Sequence, residues 1–167
     1  KYLVSFKPQH VKLDASYSYA GCVLCLPVRE NWGLFTVRLR NSVYIFCITK
    51  SFRLNTVGYF LELWTDGRAA IWTSAGGVAD RLIGTTAVND GNWHHVAATY
   101  DGFTKRIYVD GVEQNNRAIT GALIITSTTL KIGAFSNPPI SHFPDLIDDV
   151  AIWNRALTAA EVFDLFN

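Results

Sequence analysis

Methionine is missing from this 167-residue chain, which begins at Lys1. Translation starts at Met, so the chain reads as a processed product or an excised domain, and removal of a secretory leader is one natural route to it. Charge is scarce too: Asp, Glu, Lys and Arg make up 17% of the residues, with a formal net charge of +1. The 15 basic residues are scattered, and the densest run, Arg38-Leu39-Arg40, is broken by an apolar side chain. That argues against nucleic acid as a partner, because phosphate-binding domains cluster their cations. No apolar run reaches the roughly 18 residues of a membrane-spanning helix. The most apolar stretches, GCVLCLPV and VYIFCI, are only strand-length.

Cysteine is sparse and odd in number. Cys22 and Cys25 form a C-V-L-C, and Cys47 sits in YIFCI. A zinc site needs a second ligand pair, and none follows. A redox pair sits at a helix N-terminus, whereas this one lies in a strand-like run. Three small apolar core residues is the plain reading; one disulfide with a leftover thiol is the alternative for a secreted protein.

Aromatic residues are plentiful. Ten Phe, seven Tyr and five Trp, in a chain that is 49% hydrophobic, could remove on the order of 4,000 Å² from water. One domain over residues 1–167 is expected at this length. Most segments run four to nine residues, are rich in Val, Ile, Thr and aromatics, and are bounded by Gly, Asp, Asn or Pro. That pattern predicts an all-β, antiparallel two-sheet sandwich. Strands are expected near 2–6, 20–26, 33–40, 43–49, 57–65, 68–73, 93–101, 105–110, 129–135 and 146–154. SNPPISHFPD, at 136–145, reads as a rigid loop.

The Asp-Gly pairs set the reversals. A two-residue hairpin loop needs positive φ, which Gly takes freely and Asp tolerates. GYFLELWT-DG-RAAIWTS therefore reads as a hairpin with Asp66-Gly67 at its tip, and KRIYV-DG-VEQ as a second with Asp110-Gly111. TYDGFTKR reads as a longer turn between neighbours, so Asp66, Asp101 and Asp110 are turn residues first. In KRIYVD, Ile107 and Val109 share one face and Arg106 and Tyr108 the other. WHHVAATY is apolar on both faces and is expected to be central. His94 and His95 must point to opposite faces, which excludes one shared metal ion; one is expected in the core and the other half exposed. At the end of the chain Thr158 and Glu161 form a capping box, and Val162, Leu165 and Phe166 lie on one face of a short amphipathic helix.

Three segments together, DGNWHHVAATYDGFTKRIYVDGVEQ, LKIGAFSN and LIDDVAIWNRALTAAEV, resemble the laminin-G-like jelly roll, the concanavalin A-like lectin/glucanase fold in its pentraxin-like branch. The resemblance covers roughly residues 57–167; the first 50 residues match it poorly. It implies a sandwich of about a dozen strands that binds glycans, proteins or cell surfaces, often as a module of secreted proteins. It also implies calcium as a candidate cofactor, held near the rim by an acid at Asp148 or Asp149, of which one at most can be a direct ligand. Oxygen donors suit that hard cation.

Glucanases of this fold carry Glu-x-Asp-x-x-Glu on one strand, since a retaining pair of carboxylates must stand about 5 Å apart. The chain has four Glu, at 30, 62, 113 and 161, and Trp64 stands where the Asp would be. The Gln-x-His and Tyr-x-Lys strands of related lyases are missing as well. A sugar site needs an exposed aromatic with polar neighbours: Trp64 and Trp72 fall in adjacent strands of one hairpin, with Tyr59, Arg68 and Asn154 as polar candidates. The leading expectation is a non-catalytic extracellular or cell-surface module that recognises carbohydrate or a glycosylated surface. The alternatives are a self-associating structural or adhesion subunit of an appendage, coat or virion, and a polysaccharide-degrading enzyme with a rearranged site.

Overall fold

The computed structural model describes residues 34–40, 47–49, 58–124, 131–135, 141–142, 147–153 and 155–167. In chain order the elements are β1 (Leu34–Arg40), β2 (Cys47–Thr49), β3 (Tyr59–Leu63), β4 (Arg68–Ala75), β5 (Val78–Ala87) and β6 (Trp93–Tyr100). They continue with β7 (Thr104–Val109), β8 (Val112–Ala118), β9 (Lys131–Ile132), β10 (Ala134–Phe135), β11 (Ser141–His142), β12 (Ile147–Trp153) and α1 (Ala159–Phe166). Two antiparallel sheets result, ordered β12-β1-β6-β7-β8 and β5-β4-β3-β2-β9, with β10-β11 as a separate ribbon. The strands expected at 2–6 and 20–26 lie outside the described residues, as do Cys22 and Cys25; Cys47 belongs to β2.

Alternation along each strand builds the core. Leu61 and Leu63 of β3, Ala69 and Ile71 of β4 and Leu82 of β5 point inward from the second sheet. Val96, Ala98 and Tyr100 of β6 and Ile107 and Val109 of β7 meet them from the first. As expected, β6 is central, paired with β1 on one side and β7 on the other. A buried polar pair crosses between the sheets. The fully buried Lys105 ammonium lies 2.7 Å from Asp80 Oδ2 on β5 and donates to Asp80 O at 2.9 Å and Thr73 Oγ1 at 3.2 Å. Arg117 of β8 reaches Asp80 Oδ1 from the rim.

The turns follow their carboxylates. Asp66 Oδ1 accepts the Arg68 N–H at 3.1 Å, and Asp101 Oδ1 accepts the N–H groups of Phe103 and Thr104 at 2.9 and 2.6 Å. Asp110 itself adopts φ 50, followed by Gly111 at φ 75, the left-handed pair a tight hairpin requires. Its carboxylate also accepts the His95 N–H at 2.9 Å and bonds His94 Nδ1 at 2.8 Å.

α1 covers the outer face of the first sheet. Thr158 and Glu161 form the expected capping box, and Val162 is fully buried against Ala97, Tyr108 and Leu157. Leu165, assigned by its spacing to the same face, is instead 44% exposed. A helix this short presents only about two turns to the sheet, so the apolar stripe is wider than the contact. Gly111 lies so close to α1 that a Cβ there would meet Phe163 Cδ2 at 2.9 Å and Phe163 Cα at 3.2 Å. With that outer face covered by the helix, the outer face of the second sheet carries the arrangement described next.

Candidate functional site

Register brings three strands into one row. Phe60 of β3 is opposite Trp72 of β4, and Trp72 is opposite Arg81 of β5. Period-two alternation puts all three on the outer face, opposite the core side chains of the same strands. Glu62 follows two residues after Phe60, and Trp64 two residues later, just beyond the end of β3. Phe60 and Trp72 stack with ring centroids 5.4 Å apart.

One carboxylate oxygen organises the group. Glu62 Oε1 accepts the Trp64 Nε1–H at 2.7 Å and the Trp72 Nε1–H at 2.6 Å. Trp72 reaches it along the cross-strand diagonal. Arg81 closes the arrangement from β5: its guanidinium carbon lies 3.9 Å from the Trp64 ring centroid and 5.2 Å from that of Trp72. Such contacts contribute about 0.5–2 kcal/mol, more as water is excluded. Burial pushes the Glu62 carboxyl above its ordinary pKa, against the opposing pull of the two indole N–H groups and the Arg81 charge. Both indole donors are thus engaged internally, and the half-buried rings are fixed rather than free to rotate. What remains for a ligand is aromatic ring face, a guanidinium and Glu62 Oε2.

The residues singled out in the sequence divide accordingly. Trp64 and Trp72 come together. Tyr59 does not join them: it lies on the inward face, is 7% exposed, and burial pushes its hydroxyl pKa up to about 12. The sequence offers no sign of this reversal beyond alternation itself, since Tyr59 and Phe60 are adjacent and must diverge. Arg68 sits at the hairpin tip with Nη2 2.7 Å from Asp66 Oδ2. Asn154 lies outside the described residues. Glu62, weighed in the sequence only as half of a glycosidase pair, is the anchor of the indoles instead, and Asp66 is tied to Arg68. Arg81 and Phe60 were not foreseen. Arg81 was hidden because VADRLIGTTA does not read as a strand until its register with Trp72 is known.

A cavity between the sheets, lined by Tyr59, Ile71, Thr73, Ala98, Thr99, Tyr100 and Leu123, has room for about one water molecule. It is too small for a saccharide. His94 Nδ1 and Nε2 lie 2.8 and 3.0 Å from Asp110 Oδ2 and Asp90 Oδ1, while His95, 4% exposed, packs towards Phe166 on the opposite face. Asp148 and Asp149 lie on β12, in the other sheet from the indoles. Asp148 Oδ1 accepts the Asp149 N–H at 2.9 Å, and Asp149 takes φ 51 where the pairing of β1 with β12 slips register. Among the described residues no group of three or more His, Cys, Asp or Glu is placed to hold a metal ion.

Known proteins share this architecture. A carbohydrate-binding module, CBM40 of the Ruminococcus gnavus IT-sialidase bound to α2,3-sialyllactose, superposes with a TM-score of 0.67 at 13% identity, covering 82% of this chain and 83% of that one. Domain 4 of AbnA, an extracellular GH43 arabinanase from Geobacillus stearothermophilus in complex with arabinotriose, gives 0.62 at 21% identity, over 84% and 69% of the two chains. A heptameric SAP-like pentraxin from Limulus polyphemus gives 0.61 at 18% identity, over 82% and 70%. At these identities the likeness is one of fold. No curated protein sequence matches the chain. The family profile of the concanavalin A-like lectin/glucanases superfamily matches residues 36–163. The sandwich, its helix-covered first sheet and that match agree: the chain belongs to the concanavalin A-like lectin/glucanases superfamily.

Proposed function

We propose that this chain is a non-catalytic, extracellular carbohydrate-binding module whose ligand lies on the outer face of β3, β4 and β5. One observation carries the reading: Trp64 and Trp72 are held side by side, half exposed, by a single oxygen of Glu62. Saccharide rings present apolar C–H faces that stack on indole, and rigid aromatics lose little entropy when they bind. The neighbours bound to sialyllactose and arabinotriose support carbohydrate as the class of partner. Extracellular location is supported by the likeness in fold to a domain of that extracellular arabinanase.

Binding at such an open face is shallow, so several copies on one surface gain from multivalency. Calcium at Asp148 or Asp149 would lie on the other sheet and is not needed for stacking on the indoles. The test is calorimetric titration of the protein with a panel of neutral and acidic oligosaccharides, in calcium and in EDTA. Trp64→Ala and Trp72→Ala should each weaken binding by about tenfold or more, the worth of one aromatic contact. Binding that survives both substitutions would sink the assignment of this face, and a panel with no binder would sink the carbohydrate reading. A melting midpoint unchanged by EDTA would remove calcium at Asp148 or Asp149.

A further inference from the structure

Five arginine side chains are described: Arg68, Arg81, Arg106, Arg117 and Arg155. Four of them lie within 3.0 Å of a carboxylate oxygen: Arg68 on Asp66, Arg106 on Asp101, Arg117 on Asp80 and Arg155 on Glu161. Arg81 is the exception. Its contacts among the described residues are the rings of Trp64 and Trp72, and it forms no ion pair or side-chain hydrogen bond there. The nearby carboxylate, Glu62, turns Oε1 to the two indole N–H groups and acts on Arg81 through its charge alone, without an ion-pair contact. A planar fork with five N–H donors is therefore held against an aromatic surface with its donors unused.

Each group on this face restricts what can bind. The indole N–H groups have a partner already, so the rings offer only their faces. Arg81 offers donors and no acceptor. A ligand that satisfies both must combine an apolar face with an acceptor-rich group at its edge. A hydroxyl fills one donor position and adds a proton that Arg81 cannot accept. A carboxylate or sulfate takes two N–H bonds in parallel, the geometry in which guanidinium surpasses ammonium. Stacking on Trp64 also removes water from one side of the cation, which strengthens its bond to an anion on the other.

We infer that the ligand is an acidic saccharide, one that stacks on Trp64 and Trp72 and presents a carboxylate or sulfate to the Arg81 guanidinium. This rests on the carbohydrate reading above and adds the charge of the ligand to it. The shared chemistry is a planar or tetrahedral oxyanion on a sugar ring.

The test compares matched pairs by calorimetry: a hexuronate oligosaccharide against its carboxyl-reduced neutral counterpart, and a sulfated oligosaccharide against its desulfated one. The acidic member of at least one pair should bind roughly tenfold or more tightly, the worth of one charge-assisted fork. Which pair shows the preference identifies the acid. Arg81→Gln should abolish the preference, bringing the acidic and neutral members of each pair to the same affinity; Arg81→Lys, which keeps the charge but not the fork, should restore only part of it. Circular dichroism and the melting midpoint of both variants confirm that they are folded. Equal affinity within both pairs, or a preference that survives Arg81→Gln, overturns this inference and leaves the carbohydrate reading standing. Failure of every saccharide, with Trp64→Ala indistinguishable from wild type, overturns both.

Discussion

Asp80→Asn gives the most direct test of how the two sheets are held together. Lys105 has no exposed side-chain surface, and its ammonium is 2.7 Å from Asp80 Oδ2. Burial lowers the Lys105 pKa even with Asp80 beside it, so desolvation outweighs the pairing. Each half of the pair therefore depends on the other. Taking away the carboxylate charge leaves a buried cation uncompensated, at a cost of about 3–5 kcal/mol. Asp80 keeps 18% of its side-chain surface, so water reaches it and the lower end, about 3 kcal/mol, is the expected loss. For a chain of this size that is a fall of about 6–12 °C in melting midpoint. Replacing both partners, Asp80→Asn with Lys105→Met, should recover most of it, because the double variant buries no lone charge. Scanning calorimetry on the three proteins decides the matter. A single variant within about 1 kcal/mol of wild type, or a double variant no better than the single, refutes the reasoning. The pH dependence has a fixed sign. Burial acts against it, but the Lys105 and Arg117 charges hold the Asp80 carboxyl below the usual range. Its contribution is thus present above about pH 3.9 and is lost as pH falls through the lower, folded value.

Further expectations concern the turns and the helix. Burial acts to lower the His94 pKa, but hydrogen bonds to Asp110 and Asp90 prevail and raise it above 6.5. Its stabilising charge is complete below that value and is lost as pH rises through the folded pKa. The gap in melting midpoint between wild type and His94→Gln should therefore shrink as the pH is raised from about 5.5 to about 8.5, and a gap that widens would contradict this. Gly111→Ala meets positive φ and the backbone of α1 together, so a loss of about 1–3 kcal/mol in urea unfolding is expected, against near-neutrality if the helix simply shifts. Thr158→Ala removes the hydroxyl that caps α1 and should lower stability by about 1 kcal/mol, again by urea unfolding, with the sandwich left intact.

Turn chemistry and strand periodicity made most of this fold legible. Asp66-Gly67 and Asp110-Gly111 fixed two hairpins, and WHHVAATY announced its central place by being apolar on both faces. β5 escaped because its inward side contains Asp80, whose burial makes sense only once Lys105, 25 residues further on, is known to face it. β8 was seen only as the far arm of a hairpin, since VEQNNRA is almost wholly exposed and so lacks an apolar pattern. Tyr59 was drawn into the candidate site by its chemistry, although alternation places it and Trp72 on opposite faces once the register Phe60 to Trp72 is fixed. Arg81 shows the deeper limit. A side chain that enters a site from a third strand is positioned by pairing register, and pairing register is a tertiary property that no local pattern encodes.

The shared oxygen of Glu62 also bears on how such a site can change over generations. Two tryptophans that lean on one acceptor cannot drift separately. If either indole is lost, the other keeps its partner but loses its brace, and if Glu62 is lost both rings are released with an unmet N–H. Altering the ligand by replacing these three residues singly passes through a damaged intermediate. Arg81 carries no such obligation, being tied to the group only through ring faces. The route of least resistance to a new specificity therefore runs through β5, with the indole pair inherited as a unit.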